Sequence, residues 1–522
     1  RRQFLKKIGM GSLALATGSA LFNSCQKKSR RPNILFIMSD DHAEKAISCY
    51  NDELLQTPNI DRIAEEGVRF SNSFVTNSIC APSRAVLLTG KYSHLNGLRD
   101  NLDSFDNTQT TFPKLLRKNG YQTAMIGKWH LKAEPTGFDF WKILKGQGQY
   151  YNPTFYQKHG SREYTGYTTD IITDQALDFL KTRDKDKPFC MLVHHKAPHR
   201  NFMPPIKYLD KFEDREFPIP ETFFDDYFTR KKTAGAADMQ IEDMYLSLDL
   251  KLNPEDYDKQ TGTGGLEKVA EPQTYYKNNL NQEQLQAWNN HYDKISQEFA
   301  EADLSGKELT KWKYQRYMRD YAACCLSVDD NVGRLLDYLD EQNLSDDTIV
   351  VYTSDQGFYL GEHGWYDKRF MYEESLSMPL VMRYPRKINK NQVNDEIVLN
   401  LDFAPTFLDF TETAIPSTMQ GRSMKNLLNN KVSDWRDAMY YHYYEYPHGW
   451  HMVNRHYGIR TQRYKLIHFY DAVDVWELYD LKKDPHELNN VYDDPQYSNV
   501  VEKLKKRLKE LRIKYRDNNF EA

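Results

Sequence analysis

A chain of 522 residues with 70 Lys and Arg against 74 Asp and Glu carries a formal charge of only −4. That near-balance leaves no electrostatic footprint for nucleic acid, and the length exceeds one average domain, so a large domain with a smaller one is expected. Six cysteines are too few for a disulfide scaffold, and 36 Tyr, 26 Phe and 8 Trp suit a carbohydrate-facing cleft and a large core equally.

The chain starts with a basic stretch, Arg1-Arg2-Gln3-Phe4-Leu5-Lys6-Lys7, ahead of an apolar run from Ile8 to Phe22 rich in Ala, Gly and Ser. The run is too short to anchor in a bilayer. Residues 1–25 are expected to be an export signal resembling the twin-arginine type, with Cys25 a lipoprotein-like modification site. The expected location is the periplasm or outer membrane of a bacterium, with membrane contact only through a lipid at Cys25.

Asn33 to Met38 is a continuous apolar run, and similar runs recur at Ala124–Ile126, Phe189–Val193, Thr348–Tyr352 and Leu380–Met382. Such runs predict strands buried on both faces, hence a mostly parallel sheet. Helical patterns separate them: Ile60 to Glu65, Thr111 to Lys118, Thr169 to Lys181 and Tyr317 to Gln342. The alternation predicts an α/β domain over residues 31–410, a large mixed sheet covered by helices. Residues 205–310 are polar and tyrosine-rich, with Gly262-Thr263-Gly264-Gly265 near the middle, and predict an insertion of loops and short helices. Residues 411–522 predict an α+β subdomain. Strand-like pieces at Ala438–Tyr444, His456–Thr461, Tyr464–Phe469 and Trp476–Tyr479 precede an amphipathic helix with Val501, Leu504, Leu508 and Leu511 as its apolar stripe.

Polar clusters follow the predicted strands, where ligands gather in such sheets. Asp40-Asp41 and Asp355-Gln356 are hard oxygen donors without a histidine among them, which favours Ca²⁺ over Zn²⁺. Gly127-Lys128-Trp129-His130 supplies a cation and a titratable ring two residues apart; Ala197-Pro198-His199 and Gly361 to Arg369 supply His199 and Lys368. Between the acidic pairs lies Ser78-Ile79-Cys80-Ala81-Pro82-Ser83-Arg84, opening an apolar run that ends in Leu88-Thr89-Gly90. Pro82 suits a first helical turn, so Cys80 is expected just before a helix N-terminus, with Arg84 on the same face.

This stretch resembles the signature of the type I sulfatases, and Asn33 to His42, Gly127 to Leu131, His199, Thr353 to Lys368 and the tail Glu477 to Leu488 resemble the same family in order and spacing. The resemblance implies an alkaline-phosphatase-like fold, Ca²⁺ held by Asp40, Asp41, residue 80, Asp355 and Gln356, and a maturation enzyme that converts Cys80 to formylglycine. It also implies that the hydrated aldehyde attacks sulfur while Arg84, Lys128 and Lys368 hold the sulfate oxygens. His199 or Lys368 would protonate the departing alcohol, and His130 would take the proton whose loss restores the aldehyde.

For the alcohol, His442, Glu445, His448, His451 and Arg455 are the candidate sugar-binding residues, with Trp450 able to stack on a ring. Within the family the chain looks most like enzymes that remove 6-sulfate from N-acetylglucosamine, acting at glycan ends. Sulfatases for iduronate 2-sulfate, sulfated fucose or algal polysaccharide stay open, as do a phosphomonoesterase or phosphonate hydrolase of the same superfold and a catalytically silent glycan-binding lipoprotein.

Overall fold

The computed structural model describes residues 31–253, 277–429 and 434–517. Residues 1–25, Cys25 and Gly262 to Gly265 lie outside the described residues.

The apolar runs form a ten-stranded sheet. Its order is Gln392–Asn394, Val68–Phe70, Leu380–Arg383, Thr348–Ser354, Asn33–Asp40, Phe189–Pro198, Gln122–Lys128, Phe140–Leu144, Thr154–Gln157 and Gly160–Glu163. The five strands from Thr348–Ser354 to Phe140–Leu144 are mutually parallel. Leu380–Arg383 runs antiparallel to Thr348–Ser354, so burial on both faces did not specify direction there. Asn33–Asp40 and Phe189–Pro198 are buried at every residue, which is why their sequences do not alternate. Pro58–Glu65, Thr168–Thr182 and Gly306–Glu341 pack one face, within one cluster that includes Leu35, Ile37, Ile63, Ile172 and Leu335. Cys80–Thr89, Phe112–Lys118 and Phe403–Phe410 cover the other, around Phe36, Met38, Leu87, Leu116 and Phe407.

The segment 205–310 differs from expectation. It contains a 21-residue helix, Gln282–Ala302, opened by a reciprocal Asn281–Gln284 cap. Trp288, Tyr292, Ile295 and Phe299 form its buried stripe, at helical spacing within a polar sequence. Phe217, Phe223, Met244, Leu246 and Leu250 from the same segment join the core cluster of the main sheet. The C-terminal strands Ala438–Tyr443, His456–Thr461, Tyr464–Phe469 and Val475–Asp480 form an antiparallel sheet, with Ser498–Tyr515 laying Val501, Leu504, Leu508 and Leu511 against it. The five described cysteines are free, and Cys324 and Cys325 are buried in Gly306–Glu341. No helix among the described residues is long and apolar enough to cross a membrane.

Candidate active site

Parallel register places Ser39 opposite Ser354, so Asp40-Asp41 and Asp355-Gln356 leave neighbouring strands side by side. Asp41 adopts φ 65°, and its N–H donates to Asp355 Oδ1 at 3.2 Å. One oxygen from each of Asp40, Asp41 and Asp355 lies within 4.8 Å of the others, and all three residues are buried. Cys80 and His199 come within the same reach of Asp40. Asp40 Oδ1 and Gln356 Oε1 are buried and accept no hydrogen bond among the described residues. Burial raises the Asp41 carboxyl to about 6, Asp355 and Asp367 adding to this against Lys368. Three converging carboxylates, with one carboxylate oxygen of Asp40 and the amide oxygen of Gln356 buried and unused, fit a hard divalent cation such as Ca²⁺.

Ile79 is extended at φ −153°, and the helix Cys80–Thr89 begins at Cys80 itself, one residue earlier than expected. All ten of its residues are buried. Gly90 ends it at φ 62°, a left-handed cap that glycine adopts without strain. Gln356 Nε2 lies 3.7 Å from Cys80 Sγ. Burial, with Asp355 and Asp41 beside it, pushes the Cys80 thiol up to about 12 against the pull of Lys368 and Arg84. Left as cysteine, residue 80 is therefore a protonated thiol and a poor nucleophile.

The cations surround this point. Arg84 donates from Nε and Nη2 to Asp355 Oδ2 at 3.0 and 2.8 Å and from Nη1 to the Lys128 carbonyl at 2.6 Å. Lys128 Nζ bonds Asp40 and Gln147. Gly127, at φ 100°, makes that placement possible: a Cβ there would come within 2.0 Å of the His194 carbonyl oxygen. Lys368 Nζ donates to Asp41 Oδ2 at 2.7 Å. Burial works against the Lys368 charge, but Asp367 and Asp41 outweigh it and hold the ammonium above its usual range. Its segment is pinned by near-parallel stacking of Trp365, Phe370 and Tyr372.

Burial and the charges of Lys128 and Lys368 hold both His130 and His199 well below the usual imidazole range, so both are neutral. His199 Nδ1 donates to the Arg200 carbonyl at 2.6 Å, and Nε2 lies 3.7 Å from Asp41 Oδ2. His130, at φ 61°, keeps a buried Nδ1 without a hydrogen bond among the described residues. Asp41, His130, Asp367 and Arg369 all sit at positive φ, a concentration of backbone strain around one site.

A family model described as Sulfatase matches residues 32–413, and one described as N-sulphoglucosamine sulphohydrolase, C-terminal, matches 361–514. The chain belongs to the sulfatase family. It is 50% identical over 519 residues to an N-acetylglucosamine-6-O-sulfatase of Bacteroides thetaiotaomicron, covering 98% of this chain and 91% of that one. A solved structure in complex with its substrate D-glucosamine-2-N,6-O-disulfate is similar at TM-score 0.89 and 51% identity, covering 94% and 99% of the two chains. A phosphonate monoester hydrolase of Agrobacterium radiobacter shares the fold at TM-score 0.67 and 20% identity over 93% of this chain and 96% of that one. This sulfatase is thus a sulfuric ester hydrolase with an alkaline-phosphatase-like fold.

The sulfatase pocket above Cys80 has a volume of about 390 Å³. Of the sugar-binding candidates, Glu445 lines it; its Oε1 lies 3.8 Å from Arg369 Nη2. Trp450 lines it too, with the Arg200 guanidinium 5.3 Å from its ring centre. His442 does not: it is wholly buried, with Nδ1 2.7 Å from Asp517 Oδ2 and Nε2 2.7 Å from the Tyr470 hydroxyl. Arg455 is also turned away, donating to the Tyr444 carbonyl and pairing with Asp471. His448 is exposed and pairs with Asp100 at 2.8 Å, outside the lining. His451 stands behind the wall, with Nε2 3.1 Å from Asp367 Oδ2. His130 faces a separate groove of about 590 Å³ with Trp129, Trp141 and Tyr156.

Three pocket residues were not among the sequence candidates: Asp367 and Arg369, on either side of Lys368, and Arg200, held by Asp249 at 2.7 Å through both Nε and Nη2. Leu248 and Asp249 come from the segment 205–310, so that insertion builds part of the wall. The available signal was position: Asp367 and Arg369 flank Lys368, and Arg200 follows His199.

Proposed function

We propose that this sulfatase removes the 6-sulfate of N-acetylglucosamine at the end of a glycan, with formylglycine at residue 80 and Ca²⁺ held by Asp40, Asp41, Asp355 and Gln356. The carrying observation is the 50% identity, across nearly the whole chain, to a N-acetylglucosamine-6-O-sulfatase. A pocket of about 390 Å³ suits about one sugar ring, and Asp367, Arg369 and Glu445 offer acceptors and a donor fork for its hydroxyls. Bound together, the aldehyde at 80 and the cation would supply an oxygen nucleophile and the charge that acidifies it. Arg84 is fixed by Asp355 and, with Lys128 and Lys368, places positive charge where sulfate oxygens gather. Lys368 carries a proton at rest and can give it to the departing sugar oxygen, while neutral His199, with its proton on Nδ1, presents Nε2 beside it as an acceptor. His130 is neutral at rest and keeps a buried Nδ1 without a partner among the described residues; proton uptake there needs the neighbouring positive charge to be offset by bound sulfate. The export reading of residues 1–25 supports action in the periplasm or at the outer membrane, by a protein whose Cys80 a maturation enzyme has modified.

Sulfate release from 6-sulfated N-acetylglucosamine, compared with phosphate release from an aryl phosphate, tests this reading. Turnover of the sulfated sugar by the matured enzyme is expected. Phosphate release without sulfate release would reject it.

A further inference from the structure

Beside the catalytic pocket lies a second cavity of about 250 Å³, and the two share Gln147, His199, Arg200 and Asn201 as a common wall. Lys196, one of its lining residues, is only 4% exposed. Its ammonium sits 4.7 Å from the centre of the Tyr150 ring, with no hydrogen bond or ion pair to any described residue. Arg200 already has Asp249 as counter-charge, and Asp41 is engaged by Lys368. The lining holds no carboxylate; side-chain amides from Gln147, Gln149 and Asn201 face the cavity instead. An ammonium on a largely buried residue that meets no acceptor among the described residues turns its N–H groups into the cavity, where a ligand anion would accept them. A ring face can share a cation's charge but cannot accept all three N–H bonds.

We propose that this cavity is a second anion subsite, which takes a negatively charged sulfate or carboxylate group carried by the same glycan whose sulfate ester sits over Cys80. Lys196 supplies the charge and the neighbouring amides supply further donors. The inference rests on the sulfated-sugar reading above and adds a preference that the sulfate site cannot supply, because Arg84, Lys128 and Lys368 see only the scissile group.

The test uses the matured, calcium-loaded enzyme and three probes: N-acetylglucosamine 6-sulfate, N-sulfoglucosamine 6-sulfate, and a 6-sulfated N-acetylglucosamine joined to a uronate. Wild type is expected to show KM at least about tenfold lower for a doubly charged probe than for the first. The N-sulfo and uronate arms tell whether the second anion comes from the same ring or the next. Lys196→Met should erase that preference and leave kcat on the singly charged sugar within about twofold, while Lys196→Arg should restore most of it. Binding of N-sulfoglucosamine against N-acetylglucosamine, by calorimetry, reads the subsite without turnover. A Lys196-dependent preference for the N-sulfo sugar there supports the subsite even if no 6-sulfated glucosamine is cleaved. Equal binding of all probes, or an equal loss on all of them in Lys196→Met, overturns the proposal, whether or not the enzyme cleaves the first probe.

Discussion

His451 Nε2 lies 3.1 Å from Asp367 Oδ2, while Arg369 and the Lys368 backbone N–H bond Asp367 Oδ1. One carboxylate therefore joins the C-terminal region to the segment that carries Lys368. Arg369, Lys368 and His451 more than offset its burial and keep it ionised. Arg369→Ala should lower kcat/KM on the 6-sulfated sugar by on the order of 10²-fold, about 2.7 kcal/mol. His451→Ala, acting through Asp367, should cost about tenfold, mostly in KM, and Arg455→Ala no more than about twofold. Initial rates on the sugar and on a small aryl sulfate would measure this. A large loss for Arg455→Ala would contradict the assignment of that side chain to Asp471.

Residue 80 should be an aldehyde in enzyme matured by its host. The tryptic peptide ending at Arg84 should weigh about 18 Da less than its cysteine form, since an aldehyde replaces the thiol-bearing carbon. Cys80→Ala should abolish turnover and preserve the melting temperature within a few degrees. Fully active protein carrying only cysteine at 80 would end the formylglycine reading.

Chelation should remove activity, and Ca²⁺ should restore it better than Zn²⁺, given a donor set of buried carboxylate and amide oxygens. The melting temperature should fall on chelation and recover with Ca²⁺, because a ligand that binds only the folded state stabilises it. Metal analysis returning stoichiometric zinc in active enzyme would refute the assignment.

Buried histidines should make acid destabilise this protein at pH values above the ordinary carboxylate range. Burial depresses His195 to about 3, His456 to about 3 and His442 to about 4, the last against the pull of Asp517. An unfolded histidine titrates near 6.5. Below that value the unfolded chain takes up protons that the folded one refuses. This stability is complete above about pH 6.5 and is lost as pH falls toward 4 and then 3. Each histidine contributes a slope of about 1.4 kcal/mol per pH unit inside its window. Denaturant titrations at pH 7, 6, 5 and 4.5 should show the decline, and His456→Gln should reduce the slope by about one proton. An unchanged slope in His456→Gln would show that this ring titrates normally.

The strand runs, the helix at Cys80 and the cluster of polar residues at the strand ends were legible because each is local. A run such as Asn33 to Met38 states its own burial, and the residues following it must emerge at the strand's carboxyl end. The sequence by itself therefore determined that Asp40, Asp41, Asp355, Lys128 and His199 meet there, since parallel strands in one sheet share that edge. It did not determine the rest of the pocket wall. Whether His442 points into a pocket or a core depends on what packs against its strand, and that is Asp517, 75 residues later. Arg455 was equally ambiguous until a loop brought Asp471 to it. Asp367 and Arg369 face the pocket from backbone at positive φ, a geometry no residue preference announces, and Leu248 arrives from an insertion whose polar sequence conceals a packed segment. Only the tertiary structure decided these, because a polar side chain's partner is chosen by long-range packing, whereas a buried strand's end is fixed by its own residues.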